Sequence, residues 1–187
     1  MGRIVVTEFV SIDGVMEAPG GGEGFAYDGW TFAFDRGEGD QFKLDETRNS
    51  AALLLGRVTY DGFAAAWPNM HDEFADKFNS MPKYVVSSTL TDAAWNNSTI
   101  LRGDVAKEVA QLKTDVEGDL YVHGSAQLVQ ALLEHDLVDE VHLMVFPVVL
   151  GQGKRVFGPT SDKKAMRLTD SVVVGDGVAI LTYVPAG

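Results

Sequence analysis

The run LYVHGSAQLVQALLEHDLVDEVHL, residues 120–143, changes its period in the middle. Leu120, Tyr121 and Val122 form a continuous apolar segment, whereas after Gly124-Ser125 the residues Leu128, Leu132, Leu133 and Leu137 recur at three- and four-residue steps. Side chains alternate along a strand and share a face every three or four residues along a helix. The first half therefore reads as a buried strand and the second as a helix with its leucines turned inward. VHLMVFPVVLG, 141–151, follows as a further strand, apolar on both faces and so covered on both.

Working outward, the same order recurs. AALLLG, 51–56, is a short apolar run, and after Gly56 the residues Tyr60, Phe63, Ala64 and Trp67 fall at helical spacing before Pro68 ends the segment. RIVVTEFV (3–10) and KYVVSS (83–88) read as strands, and residues 40–51 as a helix. Asp104 is placed to cap a helix that turns Val105, Val109 and Leu112 inward. SVVVGDGVAILTYV near the end is two β-rich runs around Gly175-Asp176-Gly177, a hairpin signal. Strands alternating with helices, then strands alone, predict one α/β domain over 1–187 with a largely parallel sheet and an antiparallel end. Residues 14–39, rich in glycine and aromatics, read as a long functional loop whose Trp30, Phe32 and Phe34 either close over a site or fill the core.

Composition narrows the function. Apolar residues make up 45% of the 187 and charged residues 22%, which suits a globular chain rather than a disordered one. No apolar stretch reaches membrane-spanning length. With no cysteine, disulfides, thiolate catalysis and cysteine-bound metals are excluded, and a cytoplasmic protein is expected. The four histidines lack metal-binding spacing, so no metal site is expected, and His123 and His142, lying in apolar strands, read as hydrogen-bonded core residues. The net charge of −12, from 27 acids and 15 bases, argues against nucleic acid as a partner, because phosphate neutralisation needs clustered Lys and Arg.

The strand-to-helix junctions carry the chemistry. A helix that starts at Gly124-Ser125 leaves free backbone N–H groups and the positive end of its dipole at the junction, with Ala126 and Gln127 in its first turn. Such an end suits a phosphate, although Ser125 serves equally as a plain helix cap. Gly56-Arg57-Val58-Thr59 repeats the arrangement, with a guanidinium and a hydroxyl to add, and Ser87-Ser88-Thr89 follows a third strand. Ligands of open α/β sheets gather at the carboxyl ends of strands, so three such junctions say more together than apart. GQGKRVFG, 151–158, is a glycine-rich turn with two bases but without the order of a nucleotide-binding Walker loop. Asp13, in SIDG, closes the first strand as either a turn residue or a proton-transfer group, and Asp40 stands where the first helix begins.

These pieces resemble the dihydrofolate reductase-like superfamily, and within it the reductase domain of the riboflavin-biosynthesis deaminase–reductase and its small stand-alone relatives. SIDGVME (11–17), LLLGRVTY (53–60), KYVVSSTL (83–90), HGSAQLVQALLEHDLVDEVHL (123–143) and PVVLGQGKRVF (147–157) carry the likeness over nearly the whole chain. The resemblance implies an eight-stranded, mostly parallel sheet between two helical layers, a homodimer, and NADPH bound across the strand ends. It casts Gly56, Arg57 and Thr59 as phosphate contacts, Ser87 and Ser88 as the adenosine-ribose side, and Gly124, Ser125, Ala126 and Gln127 as the pyrophosphate loop. Asp13 would lie near the nicotinamide, and Asp40 is the counterpart of the carboxylate that faces the pterin in folate reductases. The expected activity is reduction of a small heterocyclic or carbonyl substrate, with dihydrofolate reduction or nucleotide binding without turnover as alternatives. Deamination is not expected, since the chain lacks the cysteines of the zinc deaminase.

Overall fold

The computed structural model describes residues 1–187. One sheet takes in eight strands: β1 (Arg3–Ser11), β2 (Ser50–Gly56), β3 (Lys83–Val86), β4 (Ser98–Leu101), β5 (Asp119–Val122), β6 (Glu140–Phe146), β7 (Met166–Val174) and β8 (Val178–Pro185). Their order across the sheet is β4-β3-β2-β5-β1-β6-β8-β7. All neighbouring pairs are parallel up to β6, and β8 runs antiparallel to both β6 and β7. The helices are α1 (Gly39–Asn49), α2 (Arg57–Ala66), α3 (Glu73–Ser80), α4 (Val105–Asp115) and α5 (Ala126–Glu134).

Alternation along the strands sorts the core into layers. Ile4, Val6, Ala52, Leu54, Leu120 and Val122 pack with Val109 and Leu112 of α4 and with the buried leucines of α5. Their neighbours Val5, Leu53, Leu55, Val85 and Tyr121 pack on the other face with Tyr60 of α2 and Phe78 of α3. A third cluster, Trp30, Met144, Phe146, Val174, Val178 and Ile180, fills the space beneath the 14–39 loop. Strands covered on both faces have no room for alternating polar residues, and this is why 51–56 and 120–122 are apolar without a break.

The expected elements form, with two main boundary changes. The strand predicted over 141–151 ends at Phe146, because residues 147–151 turn away from the sheet beyond Pro147. Leu137 lies past the end of α5, where Asp136 takes a positive φ of 54° and the Leu137 N–H bonds back to the Leu132 carbonyl at 3.0 Å. Two elements, β4 and α3, were not evident in the sequence. Asp104 caps α4 as expected, accepting from the Lys107 amide at 3.0 Å.

Candidate functional site

The β2 and β5 ends lie side by side, and this brings two helix starts together. The Gly56 N–H donates to the Gly124 carbonyl at 3.2 Å. A Cβ on Gly56 would sit 2.9 Å from the Ser125 amide nitrogen and 3.0 Å from Ser125 Cβ, and would collide with its hydroxyl. A Cβ on Gly124, whose φ is +93°, would meet the Thr59 hydroxyl at 2.8 Å. Glycine is required at both places by close approach, and at Gly124 by backbone conformation as well. The peptide between Gly124 and Ser125 is cis. Neither α2 nor α5 has a side chain bonded across its first turn, so the Ser125 hydroxyl is not spent as a cap. Two sets of free helix-start N–H groups thus face one spot, beside Thr59 and Ser125.

The third strand end joins them. Arg57 donates to the Thr89 hydroxyl at 2.5 Å and pairs with Asp61 at 3.3 Å, tying the start of α2 to the segment after β3. Ser87 is buried and accepts from the Thr89 and Leu90 amides at 3.3 and 3.0 Å, so it holds the turn, while Ser88 is exposed. Ala126 is buried and Gln127 exposed at the head of α5. The structure therefore gathers Gly56, Arg57, Thr59, Gly124, Ser125, Ala126 and Gln127, with Thr89 added and Ser87 one layer behind.

The two acids singled out in the sequence lie elsewhere. Asp13 accepts from Ser11 Oγ at 2.6 Å, the Gly151 amide at 2.8 Å and the Leu150 amide at 3.1 Å, and the Arg155 guanidinium bonds its carbonyl. The Ser11 hydroxyl and then the two amides outweigh burial and hold its carboxyl at about 2, so it stays ionised and clips the 147–155 turn to the end of β1. Asp40 projects from the outer face of α1, 62% exposed and paired with Arg36 at 2.9 Å. In the glycine-rich turn, Lys154 faces Glu17 at 3.7 Å and Arg155 faces Asp13. Trp30 and Phe34 pack edge-on against Phe146 in the core, and Phe32 is exposed.

The inward face of α1 instead presents Lys43 and Glu46. The Lys43 ammonium lies 2.6 Å from both Glu46 Oε2 and Thr7 Oγ1, and Glu46 Oε1 lies 2.5 Å from His142 Nδ1. His142 Nε2 reaches Glu140 at 2.5 Å, so this histidine has the hydrogen-bonded core role expected of it. Burial pushes the Glu46 carboxyl up, but Lys43 and His142 together pull it further the other way, to about 2. Burial lowers His142, and its two carboxylates outweigh that and raise it. His123 makes no hydrogen bond; it lies against the Phe63 and Phe78 rings, and burial, helped by Lys43, holds its imidazole at about 3.

Sequence reasoning missed Glu8. It sits in β1 with 7% of its surface exposed, and its Oε1 has no hydrogen-bond partner. Burial raises its carboxyl well above the ordinary range, against Lys43 and the Gly124 amide. The available signal was an acid in the middle of the apolar run IVVTEFVS. Two cavities, of about 330 and 210 Å³, lie along α5 and the 157–166 segment, the second reaching Pro185, and neither shares a residue with the strand-end cluster. No group of three or more acids and histidines is placed to hold a metal.

The sheet order and the paired helix starts at its carboxyl edge define a dihydrofolate reductase-like α/β fold. Solved structures share it: a protein of Shewanella sp. PV-4 that carries a provisional riboflavin-biosynthesis name superposes with a TM-score of 0.78, 24% identity and 99% coverage of both chains. The Enterococcus faecalis dihydrofolate reductase, in a complex with NADP(H), superposes with a TM-score of 0.61 and 13% identity over 100% of this chain and 98% of that one. Within that class the chain belongs to the RibD C-terminal domain family, which matches residues 3–180. The Bacillus subtilis protein YyaP, itself uncharacterized, is 27% identical over 186 residues, covering 97% of this chain and 94% of that protein.

Proposed function

We propose that the chain is an NADPH-dependent reductase of a small heterocyclic or carbonyl substrate, similar in role to the reductase domains that act on 5-amino-6-(5-phosphoribosylamino)uracil. One observation carries this reading. The starts of α2 and α5 meet through the Gly56–Ser125 approach with their N–H groups uncapped, and a dinucleotide diphosphate is an anion that fits two such ends at once. Arg57 and Thr59 flank them, and Arg57 offers the planar charged fork that suits the additional phosphate of NADPH. In a chain of net charge −12, such local donors are needed to hold an anion.

The bound cofactor supplies the hydride; the chain supplies position and surroundings. Asp13, fixed as an anion, anchors the loop beside the substrate end and is not a proton source at neutral pH. The folate-reductase alternative is disfavoured, since it calls for a free carboxylate on α1: Asp40 points outward and Glu46 is held by Lys43 and His142. A homodimer fits the long edge strand β7, where Leu168, Val172 and Val173 are 48%, 46% and 70% exposed.

Titration with NADPH, followed by energy transfer from tryptophan, tests the cofactor; oxidation of NADPH with pyrimidine, pterin and dihydrofolate acceptors tests the reaction. Saturable binding with oxidation by a pyrimidine or other small acceptor is expected. Binding without any oxidation would make the chain a nucleotide binder, and absence of binding would remove the cofactor from the reading.

A further inference from the structure

Glu8 is the one buried carboxyl that no ion pair or hydrogen-bond network absorbs. It lies in β1 on the same face as Ile4, Val6 and Val10, a face otherwise filled by aliphatic residues. β1 and β5 run parallel with Val6 level with Val122, so two residues further along each strand Glu8 comes level with Gly124. The neighbours there are apolar or backbone: Met16 Cε lies 3.6 Å from where a Gly124 Cβ would be, and Met16, Val10 and Ala126 belong to one packed cluster. The charged groups that act on Glu8 are Lys43 and Glu46 of α1; from the segment just past β5 the polar group is the Gly124 amide. Lys43 is already committed to Glu46 and Thr7, and Glu46 to His142.

An ionised carboxylate with an unpartnered oxygen is costly in such a place, and a neutral carboxyl far less so. The desolvation that raises its affinity for a proton thus agrees with the geometry. A neutral group there leaves the positive field of the two helix starts intact. A carboxylate would set a negative charge immediately behind the loop that meets the diphosphate.

We propose that Glu8 is a positioning residue for the cofactor loop: a neutral carboxyl behind Gly124 that supports the Gly124–Ser125 turn and, by losing its proton, weakens the hold on an anionic dinucleotide. This rests on the dinucleotide reading above. Anion binding and deprotonation of Glu8 oppose each other, so by linkage the affinity falls as pH rises, by at most about tenfold per pH unit for one proton.

The test measures NADPH dissociation constants of the intact protein by tryptophan fluorescence, from mildly acidic to mildly alkaline pH. Infrared titration of the ligand-free protein runs alongside. Wild type should bind more weakly as pH rises. Glu8→Gln keeps shape and neutrality, so its affinity should match wild type at the acid end and stay there. Glu8→Ala should bind about tenfold more weakly or worse at every pH, because it removes the polar group that stands behind the Gly124–Ser125 turn and leaves a gap there. The infrared spectrum should show a protonated-carboxyl band, absent in Glu8→Gln, that disappears over the same pH range. Parallel pH profiles for wild type and Glu8→Gln would overturn the proposal, as would a Glu8 already ionised in mild acid. If none of the three proteins binds NADPH, the dinucleotide reading itself is overturned and the positioning role with it, whereas the infrared band still reports separately on the protonation of Glu8.

Discussion

Glu8 and Glu46 are both buried carboxyls reached by the same lysine, and they end in opposite states. Glu46, 4% exposed, has Lys43, Thr7 and His142 around its two oxygens and is ionised. Glu8, 7% exposed, has an oxygen without a hydrogen-bond partner and is held toward its neutral form. Burial alone does not decide the charge of an acid; the count of committed donors does. The network around Glu46 satisfies itself and belongs to the architecture, whereas the unsatisfied group stands directly behind the open helix starts.

The comparison can be broken first at Glu46. Glu46→Ala leaves Lys43, 11% exposed at its side chain, without its anion, and should cost about 3–5 kcal/mol in urea denaturation, as for other halved buried pairs. A loss under about 1 kcal/mol would mean that the network is relaxed by water and is not a structural unit. At the helix starts, Gly56→Ala should cost about 1–3 kcal/mol by overpacking against Ser125. It should also weaken NADPH more than its loss of stability explains. Arg57→Ala should leave stability unchanged and weaken NADPH by about 1–3 kcal/mol, the worth of a charge-assisted hydrogen bond.

The pH dependence of stability sharpens the same contrast. Glu46 is lowered in the fold, so its contribution is present above its unfolded value of about 4.3 and is lost as pH falls toward about 2. His142 is raised, so its contribution is complete below its unfolded value of about 6.5 and is lost as pH rises through the folded one. Glu8 is also raised; the folded chain then binds the extra proton, and stability declines as pH climbs from about 4.3 through the folded value. His123, lowered to about 3, gains stability as pH rises toward its unfolded value of about 6.5 and offsets Glu8 over that span, so denaturation midpoints should peak between about 4.3 and 6.5. Glu8→Gln should flatten the alkaline decline and exceed wild type there. The smallest effect is expected at the surface, where Asp40→Asn should move neither melting temperature nor NADPH affinity, since its pair with Arg36 is exposed to solvent.

What the sequence disclosed follows from how far each signal reaches. The switch of period at Gly124-Ser125, the Asp104 cap and the Gly175-Asp176-Gly177 hairpin are written in neighbouring residues, and all formed as read. β4 escaped notice because four residues at a sheet edge, none of them buried, carry no periodic pattern. α3, eight residues long, was equally obscure, although Asp72 caps it by accepting from the Ala75 amide at 2.8 Å. That β2 and β5 are neighbours, and hence that Gly56 touches Ser125, depends on strand order, which no local pattern states. Glu8 and Glu46 needed more still: their charges follow from groups on β1, β6, α1 and just past β5, 96 residues apart for Glu46 and His142 and 116 for Glu8 and Gly124.

Asp13 has a temporal side. The amides that fix it belong to Leu150 and Gly151, and the bond to Gly151 spans 138 residues. A ribosome finishing the first strand therefore releases a carboxylate whose moorings do not yet exist. Roughly four-fifths of the polypeptide must be made before the end of β1 and the 147–155 turn acquire their lasting joint, so a nascent chain shorter than that should emerge with Asp13 unanchored.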